Sequence, residues 1–256
     1  MHNPLLLKLD RLCGLGPSDI GGLDFGESSF ASAREEIFRD GQVVSHAKLV
    51  LTGIACHYKL MQDGRRAVTC FLLPGDFTNH QVPERQTLNF SVGALTPCRF
   101  VDVPLAAWRT SGNGRLTQAL SLCMMVDIAI QRAWLANISQ QPADRRLAHL
   151  LCELRHRLAL VGMADECSFH LPLTQQDLAD ALGLSVVHVN RVLQYIKELG
   201  LIRVKDRTIL IGDLGLLEEF ADFDPAYLHP QGVPLPARTG DLAGVSLRAP
   251  APSAPG

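Results

Sequence analysis

Thr174-Gln175-Gln176-Asp177-Leu178-Ala179-Asp180-Ala181-Leu182-Gly183-Leu184-Ser185-Val186-Val187-His188-Val189-Asn190-Arg191-Val192-Leu193 is the stretch that decides the fold. Thr174 is a good helix N-cap, and Asp177 places a negative charge at the positive helix end. Leu178 and Leu182 form an apolar i, i+4 pair, and small Ala179 lets a second helix approach. Gly183 supplies the left-handed residue that ends a helix. Leu184 plugs the turn, and Ser185 caps a second helix running from Val186 to Leu199, which Gly200 ends.

Helical geometry divides the second helix into faces. At about 100° per residue, Val189, Val192, Leu193 and Ile196 cluster on one side as a buried stripe. Val187, Arg191, Gln194 and Glu198 lie opposite, flanked by His188 and Asn190. The exposed N-terminal half suits a reader of the DNA major groove. Arginine pairs with guanine, asparagine with adenine, and valine meets a thymine methyl. After Gly200, Leu201–Ile211 reads as two alternating strands around a charged turn, a wing carrying Arg203, Lys205 and Arg207. Between Val186 and Leu210 lie five basic residues and two acidic ones, a local balance of +3 against −2 for the whole chain. Such a concentrated patch is what a phosphate backbone needs.

Working outward, the 256 residues amount to about 1.7 times a usual domain. With 47% hydrophobic and 20% charged residues, composition excludes a largely disordered chain. The net charge excludes a protein that coats nucleic acid by bulk charge. Residues 1–24 read as a helical lead segment ending in glycine-rich turns. Residues 25–110 read as short strands at close spacing, an all-β roll. Residues 111–141 form a long helix, with Gln140–Asp144 as a hinge. Residues 142–228 form the winged helix-turn-helix. The Pro/Gly/Ala-rich tail, 229–256, is expected to be disordered.

On the long helix, Leu116, Ala119, Cys123, Val126, Ile130 and Ala133 recur in steps of three and four, the spacing of a coiled-coil seam. A second apolar stripe contains Leu120, Met124, Ile128 and Trp134. Two stripes predict that one faces the roll and the other a second chain. The seam beginning at Leu116 is assigned here to the dimer. Asp127 and Arg132 interrupt the apolar run, so no membrane span is expected.

The start of the chain carries only three consecutive leucines before charge returns, too few for a secretion signal. Seven scattered cysteines with no CxxC predict free thiols in a reducing cytoplasm. No GxSxG, HExxH, Walker A or dinucleotide glycine pattern appears, which argues against an enzyme. No metal site is expected.

Together these features are similar to the Crp/Fnr family of transcription regulators. Three things carry the resemblance. One is the segment from Thr174 to Ile202. The second is Leu51-Thr52-Gly53, Asp63-Gly64-Arg65-Arg66 and Leu73-Pro74-Gly75-Asp76. The third is the order of β-roll, long helix and winged helix, over residues 25–225. The resemblance implies an α+β protein: a cupin-like double-stranded β-roll, a dimerisation helix and a C-terminal winged helix-turn-helix. It implies a homodimer that reads a two-fold symmetric operator in double-stranded DNA and meets RNA polymerase. Thr174, Gln175, Ser185 and Lys205 would touch the DNA backbone, with Arg203 and Arg207 beside them. Val187, His188, Asn190, Arg191 and Gln194 would face bases. Many members carry Arg-Glu after the cap serine, where this chain has Val186-Val187, so a different half-site is expected.

For the roll, the resemblance implies an effector pocket near Gly75, Asp76, Arg85, Asn89, Gln131 and Arg132. Members that bind cyclic nucleotides hold the phosphate with an Arg-Ser or Arg-Thr pair. That position falls on Leu88-Asn89, with Arg85 three residues early, so a cyclic nucleotide is not expected. Iron–sulfur members carry an N-terminal cysteine cluster, and here Cys13 stands alone, so no such cluster is expected. His46, Cys56, His57, Cys70 and His80 share the roll and leave haem or thiol sensing open, against a plainer reading of core cysteines and partly exposed histidines. The alternative to a regulator is a cyclic-nucleotide-binding module that controls a partner protein; the basic reading helix argues against it.

Overall fold

Asp-Gly, Gly-Ile and Pro-Gly-Asp punctuate the N-terminal half, and the chain reverses at each. A computed structural model describes residues 3–20, 25–80, 85–105 and 114–229. Strands β1 (Ser28–Ala31), β7 (Cys98–Pro104) and β3 (His46–Thr52) form one antiparallel sheet in the order β1-β7-β3. Strands β2 (Glu36–Phe38), β6 (Ser91–Ala94), β4 (Ala55–Leu60) and β5 (Arg66–Leu72) form a second in the order β2-β6-β4-β5. The run from Leu49 to Leu60 reads as continuous in sequence, yet it splits into β3 and β4 at Gly53. There φ is +86°, and a Cβ would lie 2.3 Å from the Pro97 carbonyl oxygen. Only glycine permits that crossing from one sheet to the other.

Helix α1 (Pro4–Cys13) is capped by Asn3, whose side chain accepts from the Leu5 amide at 3.0 Å. It buries Leu5 and Leu9 in the same core as β3 and β7. A one-turn helix, α2 (Pro17–Ile20), follows.

The long helix α3 spans Gly114–Gln140. By length and composition it could cross a membrane, but it buries Leu116, Ala119, Leu120, Cys123, Val126, Ile130 and Trp134 against its own chain. This corrects the expected dimer seam. Leu116, Ala119, Cys123, Val126 and Ile130 are all at most 5% exposed within one protomer, and Ala133 is half-buried. The helix gives its regular stripe to the core of its own chain. Met125, Ile128, Leu135 and Ile138, on the other side, are 45–68% exposed.

Pro142 ends the hinge, since proline is tolerated at the start of a helix but not within one. Beyond it, α4 (Ala143–Leu160) forms the spine of the C-terminal unit, with Leu147, Leu151, Leu154 and Leu158 buried. Helices α5 (Gln175–Leu182) and α6 (Val186–Glu198) pack on it. The wing is β9 (Ile202–Lys205) paired with β10 (Thr208–Ile211), and β8 (Ser168–His170) adds a third strand unforeseen from the sequence. Asp206 and Arg207 turn the wing with φ of +48° and +60°, the two left-handed residues of a tight hairpin turn. Helix α7 (Leu214–Ala221) closes the unit against α4 through His156 and Glu218, 2.6 Å apart. Beyond His229 the tail lies outside the described residues.

The outer face of the β4–β5 sheet is not open to solvent. Ile54, Cys56, Val68 and Phe71 share one apolar core with Leu178, Leu182, Val189 and Ile196 of the helix-turn-helix. This is why Cys56 and His57, which point to opposite faces of β4, are both buried. Cys56 meets the C-terminal unit, while His57 faces the roll interior, its Nε2 within 2.6 Å of the Thr78 carbonyl oxygen. Burial drives the Cys56 thiol up to about 12 and the His57 imidazole down to about 4. The histidines of the roll interior are thus more enclosed than the sequence suggests; the His80 side chain is also nearly buried, 3.3 Å from Asp127.

Candidate nucleic-acid interface

The two helices of the reading unit are built by their caps. The Thr174 hydroxyl accepts from the Asp177 amide at 3.2 Å, and the Asp177 carboxylate accepts from the Thr174 amide at 2.9 Å, a reciprocal capping box. Gly183 ends α5 at φ +64°. The Ser185 hydroxyl oxygen accepts from the His188 amide at 3.2 Å and starts α6. Val189, Val192 and Ile196 then point inward, and Leu193 packs at their margin.

This leaves one face of the unit open. Ser185, Val187, His188, Asn190, Arg191 and Gln194 are exposed along α6, with Val187 at 69%. A β-branched apolar side chain so open in a first helical turn suits a methyl group in a groove. Arg203, Lys205 and Arg207 are exposed on the wing, Thr174 is exposed, and Gln175 is half-buried at the start of α5. Among the described residues, no intramolecular ion pair engages Arg191, Arg203, Lys205 or Arg207. Elsewhere arginines are spoken for. Arg146 donates to the Leu182 carbonyl oxygen at 3.0 Å, and Arg157 donates to Asp76. The open cations are concentrated where a phosphate backbone would lie.

The residues expected to gather as an effector pocket do not do so. Arg85, Asn89, Gln131 and Arg132 are exposed, while Gly75 and Asp76 are buried. The Asp76 carboxylate accepts from Lys8 Nζ at 2.5 Å, from Arg157 Nη2 at 2.8 Å and from the Leu73 amide at 2.8 Å. Burial alone would raise this carboxyl; Lys8 and Arg157 overcome it and hold it down at about 2. Asp76 borders a small cavity with Lys8, Asp127 and Arg157, and none of the other five candidates lines it. Arg157 also donates to Glu153 at 3.1 Å, and Glu153 accepts from Trp134 Nε1 at 2.9 Å and the Tyr227 hydroxyl at 3.1 Å. A buried polar chain therefore joins α1, the roll, α3, α4 and the segment after α7.

Comparison with known proteins now bears on this geometry. Residues 145–220 match the family model described as the Crp-like helix-turn-helix domain, and residues 30–110 match the cyclic nucleotide-binding domain. The chain is 30% identical over 195 residues to the nitrogen fixation regulation protein FixK of Azorhizobium caulinodans, covering 75% of this chain and 78% of that one. The chain belongs to the Crp/Fnr family. It is also 31% identical over 191 residues to FixK of Bradyrhizobium diazoefficiens, covering 73% of this chain and 76% of that one. The solved structure of FixK2 from Bradyrhizobium japonicum shares the fold, with TM-score 0.67 at 21% identity over 76% of this chain and 96% of that one.

This Crp/Fnr protein is thus a DNA-binding transcription regulator and not an enzyme. Sequence reasoning missed two of its functional contacts. Arg34 and Arg66 of the roll bond to Asp177 and Asp180 of α5. The signal lay in α5 itself. A helix that must approach phosphate carries two carboxylates, which require cations from elsewhere in the chain.

Proposed function

We propose that the chain acts as a cytoplasmic homodimer that reads a two-fold symmetric operator through α6 and grips the backbone through Thr174, Gln175, Ser185 and the wing. The observation that carries this reading is the set of open cations, Arg191, Arg203, Lys205 and Arg207, beside the Ser185-capped helix. In it Val187, His188, Asn190, Arg191 and Gln194 face bases, and RNA polymerase is the further partner.

The dimer face in this proposal is the outer stripe of α3. Ser121, Met124, Ile128, Gln131, Leu135 and Ile138 follow steps of three and four, a heptad seam on the solvent side. A symmetric contact along α3 would bring two reading units to two half-sites.

The roll in this reading responds to something other than a cyclic nucleotide, because Asp76 is already held by Lys8 and Arg157. Its domain limits follow the elements: a helical lead through residue 24, the roll to 110, the dimer helix to 141 and the reading unit to 228.

Selection of bound sequences from random DNA, followed by footprinting, tests the proposal. A symmetric site protected on both half-sites is expected. Binding without sequence preference would sink it. Calorimetry with cyclic AMP is expected to show no binding tighter than about 10 μM.

A further inference from the structure

We propose that Arg34 and Arg66 of the roll are positioning residues for DNA binding, clamping the reading unit in the pose that presents α6 to the operator. Arg34 Nη2 donates to Asp177 Oδ2 at 2.9 Å and to the Thr174 hydroxyl at 3.2 Å, and its Nη1 pairs with Asp177 Oδ1. Arg66 donates from Nη2 to Asp177 Oδ1 at 3.1 Å and from Nε to Asp180 Oδ2 at 3.0 Å. Two guanidinium groups from the roll thus hold two carboxylates on the first two turns of α5.

Both arginines are themselves held. The Arg66 guanidinium lies over the Tyr58 ring at 5.7 Å, and the Tyr58 hydroxyl donates to Glu36 at 2.9 Å. Arg34 sits in the turn between β1 and β2 at φ +73°, a conformation disfavoured for any residue with a side chain. Its amide donates to the Ala94 carbonyl oxygen at 2.8 Å, which pins that turn to β6. A non-glycine residue held there by the sheet aims its side chain at α5.

The Asp177 side chain is 1% exposed and that of Asp180 12%. Carboxylates so enclosed demand partners, and removing one partner leaves a buried charge unpaired. The contact is therefore directional. It fixes how α5 sits on the β4–β5 sheet, and the apolar contacts of Cys56 and Val68 beneath it only fill space. The clamp also neutralises two negative charges next to the cap residue Thr174. With the clamp closed, every candidate DNA residue on α6 and the wing is exposed. The closed state is accordingly the one able to bind.

This inference rests on the DNA-binding reading, and its test separates the two. Affinity of the full-length protein for its selected operator is measured by fluorescence anisotropy across a salt series. The variants are R34A/R66A, R66E and the swap R66E/D180R, with R191A as control. Loss of a positioning clamp is expected to weaken R34A/R66A by 10- to 100-fold while leaving the slope of log affinity against log salt unchanged. The swap is expected to regain most of what R66E loses. If R34A/R66A fails to fold, the swap, which conserves total charge, carries the test alone. Three results overturn the proposal: wild-type or tighter operator binding by the double alanine variant, a salt slope reduced by about one per arginine removed, as for a direct phosphate contact, or a swap no better than R66E. Unchanged operator selectivity in R191A would instead refute the assignment of the reading helix.

Discussion

Arg157 donates to Asp76 across 2.8 Å, both side chains nearly excluded from water, and so joins the spine of the DNA-binding unit to the turn after β5. The same guanidinium reaches the Phe71 carbonyl oxygen at 2.7 Å and Glu153 at 3.1 Å. One side chain therefore satisfies acceptors from both halves of the protein.

Arg157→Met keeps volume but leaves Asp76 and Glu153 without their shared cation. Breaking a buried pair from one side costs about 3–5 kcal/mol. A loss of that size is expected in urea unfolding of the full-length protein. A loss under about 1 kcal/mol would mean that Lys8 alone is sufficient for Asp76.

The two stripes of α3 predict opposite phenotypes. Leu135→Asp, on the solvent side, is expected to yield folded monomers in sedimentation velocity. Val126→Asp, on the core side, is expected to unfold the protein by burying a charge. Dimers that survive Leu135→Asp would remove the outer stripe as the contact face.

Lys205→Ala and Arg191→Ala should differ in kind. Lys205 stands on the exposed wing, so its loss is expected to weaken all sequences alike and lower the salt slope by about one. Arg191 faces the groove side of α6, so its loss is expected to relax selectivity at one base position, at about 1–3 kcal/mol. Competition gel shifts with single-base operator variants distinguish these outcomes.

Acid stability follows from the buried imidazoles. An unfolded histidine titrates near 6.5, and burial holds His57 down at about 4. A depressed histidine contributes stability that is full above about pH 6.5 and is lost as the pH falls towards 4, with a slope of about 1.4 kcal/mol per pH unit. His80 is depressed to about 4 as well, by burial and then by Lys8. Its neighbour Asp127, raised to about 6 by burial, takes up a proton in the folded state over part of the same window and opposes it. His57→Gln is therefore expected to flatten the stability curve between pH 6.5 and 4 by about one proton. Urea midpoints collected across that range measure it; an unchanged curve would mean that His57 charges inside the fold.

The reading unit was legible in sequence because its signals are local. Thr174 and Asp177 are three residues apart, Gly183 follows Leu182 directly, and Ser185 caps the helix it precedes. The face of α3 was not legible. Both of its stripes are apolar, and only the packed chain reveals that Leu116 to Ile130 are covered from within. The clamp joins residues more than a hundred positions apart, Arg34 with Asp177 and Arg66 with Asp180, beyond the reach of any periodicity. Gly75-Asp76 carried the right motif for a ligand contact, but Lys8 and Arg157, distant in the chain, had taken its carboxylate.

The turn of the wing has a consequence for engineering. Arg207 occupies a left-handed backbone conformation that glycine would adopt with less strain. A thermostability screen would therefore favour Arg207→Gly, gaining melting temperature while discarding one of the wing's cations. Selection for heat resistance and selection for operator occupancy would pull this position in opposite directions.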